Sequence, residues 1–153
     1  MNYKHVAAVL TDSTEEKLFY HGSGHSNSSV LAGATKIQSD PVPVRGVKID
    51  NLVGERNGKG IIKLDLESHE YDALLGGKDT LKNKDVIYII EINPSLLNKK
   101  GESLYSVFGL MSSYGYIGRG IDDDFNIYPE SYVFGKKTMN YIFARSSCWE
   151  YLL

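Results

Sequence analysis

Apolar runs separated by polar, glycine-rich and proline-rich stretches divide the chain into short strands and helices. The runs at 5–10, 17–21, 60–67 and 86–92 predict strands, and the prolines of 41–49 favour extended backbone there as well. The run at 86–92 is apolar almost throughout, which is typical of a strand covered on both faces of a sheet.

Two segments have the spacing of amphipathic helices. The first is predicted from about Ser68 to Lys82, although the pair Gly76-Gly77 indicates either close backbone packing or an earlier helix end. Its apolar face consists of Tyr71, Leu74, Leu75 and Leu81. The second helix carries an apolar stripe formed by Leu104, Val107, Phe108 and Met111, and "SYGYIGRG" ends it. Asp50 is placed to cap a shorter helix that begins at Asn51.

The order of these elements predicts an α/β fold. The strand at 60–67, the helix after it and the strand at 86–92 have the length of a parallel β-α-β unit with a right-handed crossover. The segments "FNIYP", "SYVF" and "NYIFARS" then predict short antiparallel strands. We therefore expect a mixed, mostly parallel sheet.

Composition narrows the class of protein. A chain of 153 residues predicts one domain over 1–153, and 42% hydrophobic with 24% charged residues is globular composition. The net charge of −2 argues against a nucleic-acid partner, which would favour a basic surface. A single cysteine, Cys148, the absence of a signal peptide and the absence of a run of about 20 apolar residues predict a cytoplasmic protein without a membrane partner.

Acidic residues cluster where the strand at 60–67 meets the helix. Asp65 and Glu67 lie at its carboxyl end, where ligands bind in open α/β sheets, and Glu70 follows within one helical turn. The structural alternative is a cap, with Ser68 at the N-cap position and the helix dipole stabilising Glu70. That alternative explains Asp65 poorly, because a carboxylate inside a strand has to be solvated or paired. We expect Asp65 and Glu67 to lie in a cleft at this sheet edge.

The segment from Ile61 to Pro94 resembles the FkbM family of S-adenosylmethionine-dependent methyltransferases. The family pattern is a strand ending in Lys-x-Asp-x-Glu-Gly-x-Glu, a helix that reaches a leucine and a glycine, and a strand that ends with a glutamate. The matching residues are Lys63, Asp65, Glu67, Glu70, Leu75, Gly76 and Glu91. Ser68 stands where the family has glycine. With weaker similarity on both sides, the resemblance covers residues 5–146.

The resemblance implies a Rossmann-like class I methyltransferase fold and O-methylation of a small-molecule or carbohydrate hydroxyl. It implies catalytic roles for Asp65, Glu67 and Glu70, a role for Asp12 at the adenine end of the cofactor, and no required metal. The family's Gly-rich cofactor motif has no counterpart in residues 1–153, so we expect an N-terminally truncated, partial domain that binds S-adenosylmethionine weakly or not at all.

Three hypotheses follow for such a chain. It is an inactive or split fragment completed by an N-terminal polypeptide, an active small enzyme with an unusual cofactor site, or a binding and assembly module. The apolar strand at 5–10 would then have an open edge, and we expect the chain either to associate through residues 5–10, as in a homo-oligomer, or to be poorly soluble.

Overall fold

The computed structural model describes residues 3–22, 28–32, 40–55, 58–83, 85–124, 126–129 and 137–152. The strands are β1 (Val9–Leu10), β2 (Glu16–Phe19), β3 (Val42–Val47), β4 (Gly60–Leu64), β5 (Val86–Ile92), β6 (Ile117–Ile121), β7 (Ile127–Tyr128) and β8 (Met139–Ala144). The helices are α1 (Ile49–Val53), α2 (Glu70–Leu75), α3 (Pro94–Lys99), α4 (Leu104–Ser113) and α5 (Ser146–Leu152), with a 3-10 turn at Thr80–Lys82. The fold is therefore mixed α/β.

The predicted parallel unit is confirmed. Strands β4 and β5 are parallel neighbours, with Ile61 opposite Ile87 and Leu64 opposite Ile90. The chain between them contains α2 and the 3-10 turn, which supply the crossover that a parallel connection needs. The carboxyl ends of β4 and β5 consequently lie side by side at one edge of the sheet.

The prediction of a mostly parallel sheet is wrong. The described strands form a five-stranded sheet in the order β4-β5-β8-β6-β7 and a three-stranded sheet in the order β1-β3-β2. In the larger sheet only β4 and β5 are parallel, because β8 returns between β5 and β6 and pairs antiparallel with both. In the smaller sheet β1 pairs parallel and β2 antiparallel with β3.

Helix α2 is shorter than predicted. It begins at Glu70, with His69 rather than Ser68 as its N-cap, and ends at Leu75. The backbone also packs closely here, since a Cβ atom on Gly76 would overlap the carbonyl oxygen of Thr11. Of the two readings of the glycine pair, both close packing and an early helix end apply.

Asp50 does not cap α1. The N-cap is Lys48, and Asp50 lies in the first turn of the helix. Its carboxylate accepts hydrogen bonds from the Thr80 amide at 2.8 Å, the Thr80 hydroxyl at 2.7 Å and the Asp79 amide at 3.1 Å. Asp50 therefore joins α1 to the 3-10 turn.

The core lies between one face of the larger sheet and helices that include α2 and α4. Phe108 of α4 makes edge contacts with Tyr141 and Phe143 of β8, at ring-centroid distances of 5.3 and 4.9 Å. The predicted stripe of α4 is confirmed, because all four residues are buried. Strand β5 alternates between fully and partly buried positions, so the prediction that both its faces are covered is wrong.

The C-terminal part contains one strand, β6, that the sequence pattern did not predict. Residues read as the end of α4 form β6, whose Gly118 leaves room for the rings of Phe108 and Phe143. The strands predicted from "FNIYP" and "NYIFARS" are present as β7 and β8. The segment "SYVF" lies outside the described residues.

The strand predicted at 5–10 is reduced to Val9–Leu10. It pairs with β3 and stands at the edge of the smaller sheet, as the open-edge prediction required. Among the helices that the structure describes, none has the length and apolar character needed to cross a membrane.

Candidate functional site

A cleft of about 1280 Å³ opens at the carboxyl ends of β4 and β5. Asp65, Leu66 and Glu67 line it where the chain leaves β4, and Glu91 and Asn93 line it from the end of β5. Other lining residues lie near β1 and in the segment at 28–32, after β2. They include Lys4, His5, Val6, Ala8, Val9, Leu10, Ser28, Ser29 and Val30. One wall is thus acidic, whereas much of the rest is apolar.

The register of the parallel pair explains the acidic wall. Leu64 lies opposite Ile90, so that Asp65 and Glu91, the next residue on each strand, emerge at neighbouring positions. Asp65 is half exposed and its Oδ2 lies 3.4 Å from Lys63 Nζ. The structure brings Asp65 and Glu67 together in this cleft; that they act on a ligand remains a prediction.

The environment of Glu67 favours its protonated form. Partial burial raises the pKa of its carboxyl, and the nearby carboxylates of Asp65 and Glu91 raise it further. A carboxylate with a raised pKa holds a proton more firmly than an ordinary surface glutamate. Such a group is a stronger base than an ordinary surface glutamate and is suited to accept a proton from a bound hydroxyl.

The backbone that carries Glu67 is in an unusual conformation. Glu67 and Ser68 have φ angles of 48° and 88°, the left-handed region that favours glycine. The hydroxyl of Ser29 donates a hydrogen bond of 3.1 Å to the Glu67 carbonyl oxygen. The turn after β4 is therefore held by a contact from a distant loop.

Glu70 lies beneath this turn rather than in the cleft. Its side chain is buried, and its Oε1 accepts a hydrogen bond of 2.9 Å from the Leu66 amide. Burial raises the pKa of its carboxyl, while bonds from backbone amides oppose that shift. The structure does not place Glu70 among the residues that line the cleft.

Asp12 is also separate from the cleft. It is exposed just after β1, where its Oδ1 accepts a hydrogen bond of 3.1 Å from the Thr11 hydroxyl. It is not a lining residue. The position of Asp12 therefore does not support its predicted contact with a cofactor.

Among the other lining residues, Glu91, Asn93 and His69 carry polar side chains to which sequence reasoning gave no role in the site. The rule that pointed to the carboxyl end of β4 would also have found the first two at the end of β5. His69 Nε2 lies 3.8 Å from Asp72 Oδ2, and burial with nearby Lys100 lowers the His69 pKa to about 4. The imidazole is consequently neutral at pH 7.

Replacing Ser68 by glycine is expected to stabilise the protein by about 1 kcal/mol, because glycine adopts a positive φ without steric cost. The change also removes a hydroxyl that is buried without a hydrogen-bond partner among the described residues. Urea denaturation of both proteins measures the difference. Ser106→Gly, in the first turn of α4, is the matched control and should destabilise. Destabilisation by Ser68→Gly would contradict the strained backbone.

Comparison with known proteins identifies the family. The family model of the methyltransferase FkbM domain matches residues 2–117, more than half of the chain. No curated protein and no solved structure matches the chain significantly. Among the described residues, no group of three or more His, Cys, Asp or Glu side chains is arranged to hold a metal ion. The chain belongs to the FkbM methyltransferase family.

Proposed function

We propose that this chain carries out S-adenosylmethionine-dependent O-methylation of a small-molecule or carbohydrate hydroxyl. The observation that carries the proposal is the cleft at the carboxyl ends of β4 and β5, lined by two carboxylates of the family's central motif, Asp65 and Glu67. Membership in the methyltransferase family supports the reaction class. The parallel β4-α2-β5 unit supports a Rossmann-like class I fold.

The chemistry of the cleft suits the cofactor. Its acidic wall, formed by Asp65, Glu67 and Glu91, is electrostatically favourable for a sulfonium cation, and its apolar side chains suit a purine ring. When bound, S-adenosylmethionine supplies a methyl carbon that is activated for attack by an oxygen nucleophile. Asp12 lies outside the cleft and has no part in this cofactor site.

Glu67 is the proposed general base. Its raised pKa lets it accept the hydroxyl proton of the acceptor, and removal of that proton makes the oxygen a better nucleophile. Asp65 is half exposed in the same wall. Its carboxylate would accept a hydrogen bond from the hydroxyl compound that receives the methyl group, and would so orient that compound. Glu70 would act indirectly, by holding the Leu66 amide under the turn.

Transfer of a labelled methyl group tests the proposal. The chain is incubated with methyl-tritiated S-adenosylmethionine and a panel of monosaccharides, phenols and aliphatic alcohols, and cofactor binding is measured by calorimetry. Label on at least one hydroxyl is the expected result, with cofactor binding that is saturable but weak, because residues 1–153 contain no counterpart of the family's Gly-rich cofactor motif. A folded chain that neither binds the cofactor nor transfers label would contradict the proposal.

An assembly module is the second candidate function. Strand β4 is at the edge of the larger sheet, and its Ile61 is 69% exposed. Open apolar strand edges recruit further strands. We therefore also propose that this edge pairs with a strand of a second copy or of another polypeptide.

Substituting Ile61 by lysine is expected to reduce self-association, because a charge on an edge strand opposes pairing with another strand. Sedimentation velocity at several protein concentrations measures the monomer fraction. Tyr105→Lys is the matched control, since Tyr105 is 68% exposed but lies on helix α4. An equal change in both variants would count against association through β4.

A further inference from the structure

The turn that presents Glu67 needs a restraint. Two consecutive non-glycine residues, Glu67 and Ser68, have positive φ angles, and each costs free energy that the surroundings have to offset. On one side the turn is fixed by Glu70, whose carboxylate accepts a hydrogen bond from the Leu66 amide. This contact holds the residue before Glu67 and leaves the peptide after Glu67 to be held by something else.

Ser29 holds that peptide. Its side-chain hydroxyl donates to the Glu67 carbonyl oxygen at 3.1 Å and accepts a hydrogen bond from the Leu31 amide at 3.0 Å. Ser29 is only 2% exposed, so water does not compete for this hydrogen bond. The two residues are 38 positions apart, and the contact joins the loop at 28–32 to the end of β4.

The position of Ser29 is itself fixed by the backbone. The Tyr20 amide donates to the Ser29 carbonyl at 2.8 Å, and the Ser29 amide donates to the Tyr20 carbonyl at 3.0 Å. Tyr20 directly follows β2, so Ser29 is anchored to the smaller sheet. Its hydroxyl is therefore a fixed point against which the turn of the larger sheet is set.

We propose that Ser29 is a positioning residue for Glu67. The Ser29 hydroxyl holds the Glu67–Ser68 turn so that the Glu67 carboxylate faces the cleft beside Asp65 and Glu91. This inference rests on the proposed function of Glu67 as a base. Without the Ser29 hydroxyl the turn relaxes toward negative φ, and the carboxylate moves away from its two acidic neighbours.

Ser29→Ala is the direct test. We expect kcat for methyl transfer to fall by about 10- to 100-fold, the cost of a misplaced reacting group. The acid limb of the pH–rate profile should move to lower pH, because Glu67 loses the neighbours and the burial that raise its pKa. A loss of stability alone would not move that limb.

A second readout keeps the test independent of activity. Carbon-13 NMR of the glutamate carboxyl groups, with Glu67 assigned by its absence in Glu67→Gln, follows the Glu67 titration directly. The Glu67 pKa should fall in Ser29→Ala even in a chain for which no acceptor has been found. Failure of the proposed function would then appear as absent transfer, and failure of the present inference as an unchanged titration.

Two further variants separate positioning from folding. Ser103→Ala removes the capping box of α4 at a residue that does not line the cleft, and controls for a lost serine hydrogen bond. The double variant Ser29→Ala with Ser68→Gly lets residue 68 keep its positive φ without strain, and should recover part of the Glu67 pKa shift and of kcat. The proposal is overturned by an unchanged Glu67 titration in Ser29→Ala, or by an equal shift in Ser103→Ala.

Discussion

Glu67→Gln is expected to lower kcat for methyl transfer by about 10²- to 10⁴-fold, the usual contribution of a general base. Glutamine has nearly the same shape as glutamate, but its side-chain amide cannot take up the proton of the hydroxyl that is to be methylated. KM should change much less, because the amide still makes hydrogen bonds in the cleft. Initial rates at saturating S-adenosylmethionine, over a range of acceptor concentrations, separate the two parameters.

The pH dependence gives this prediction a second arm. The base acts as a carboxylate, so the rate should rise with pH through the Glu67 pKa, which burial, Asp65 and Glu91 place above its ordinary value. The variant should lack that acid limb. Glu150→Gln, an exposed change on α5, is the control and should leave both rate and profile as they are. A Glu67→Gln protein with full kcat would exclude Glu67 as the base.

The position of Glu67 was predictable because it depends on local pattern and one general rule. Apolar runs defined β4 and β5, the intervening helix made them parallel, and parallel strands end at the same sheet edge. The sequence therefore placed Asp65 and Glu67 at the edge where the cleft lies. The same rule would have added Glu91.

The residues that hold Glu67 were not predictable in the same way. Ser29 meets Glu67 across 38 positions, and a serine in a glycine- and serine-rich loop gives no periodic signal. Glu70 matches the family motif as closely as Glu67, yet it points under the turn because it begins α2. A motif identifies which residues matter but does not separate those that face a ligand from those that support the backbone.

The larger sheet shows the same limit. Strand β8 enters between β5 and β6, a non-local pairing that no local pattern encodes. Strand β6 lies in the segment "SYGYIGRG", which was expected only to end α4. Gly118 provides space in this strand, since it pairs with Phe143 and lies against the ring of Phe108. Tertiary packing has overridden local preference at these positions.

Gly76→Ala is expected to destabilise the protein by about 3 kcal/mol, the upper part of the usual range for overpacking. The backbone of Gly76 has φ −79° and ψ 0°, which alanine adopts freely, so the cost is steric alone. The added Cβ would overlap the Thr11 carbonyl oxygen and lie 3.0 Å from the Thr11 carbonyl carbon. Thr11 is buried, and its amide donates to the Val47 carbonyl at 3.0 Å, so its backbone has little room to move.

This contact also joins the two sheets. Gly76 follows α2, which packs with the larger sheet, whereas Thr11 directly follows β1 of the smaller sheet. Pushing them apart should widen the cleft that lies between the residues near β1 and the end of β4. We therefore expect Gly76→Ala to weaken binding of any ligand in the cleft, in addition to its effect on folding.

Urea denaturation at a constant slope measures the change in stability. Gly109→Ala is the matched control, because Gly109 is exposed within α4 and a Cβ there meets no atom within 4 Å. Helix propensity predicts that this control gains about 0.5–1 kcal/mol. The two glycine-to-alanine changes should thus have opposite signs. If Gly76→Ala is as stable as the parent chain, α2 does not approach β1 this closely in solution, and the cleft is not built against the smaller sheet in the way described.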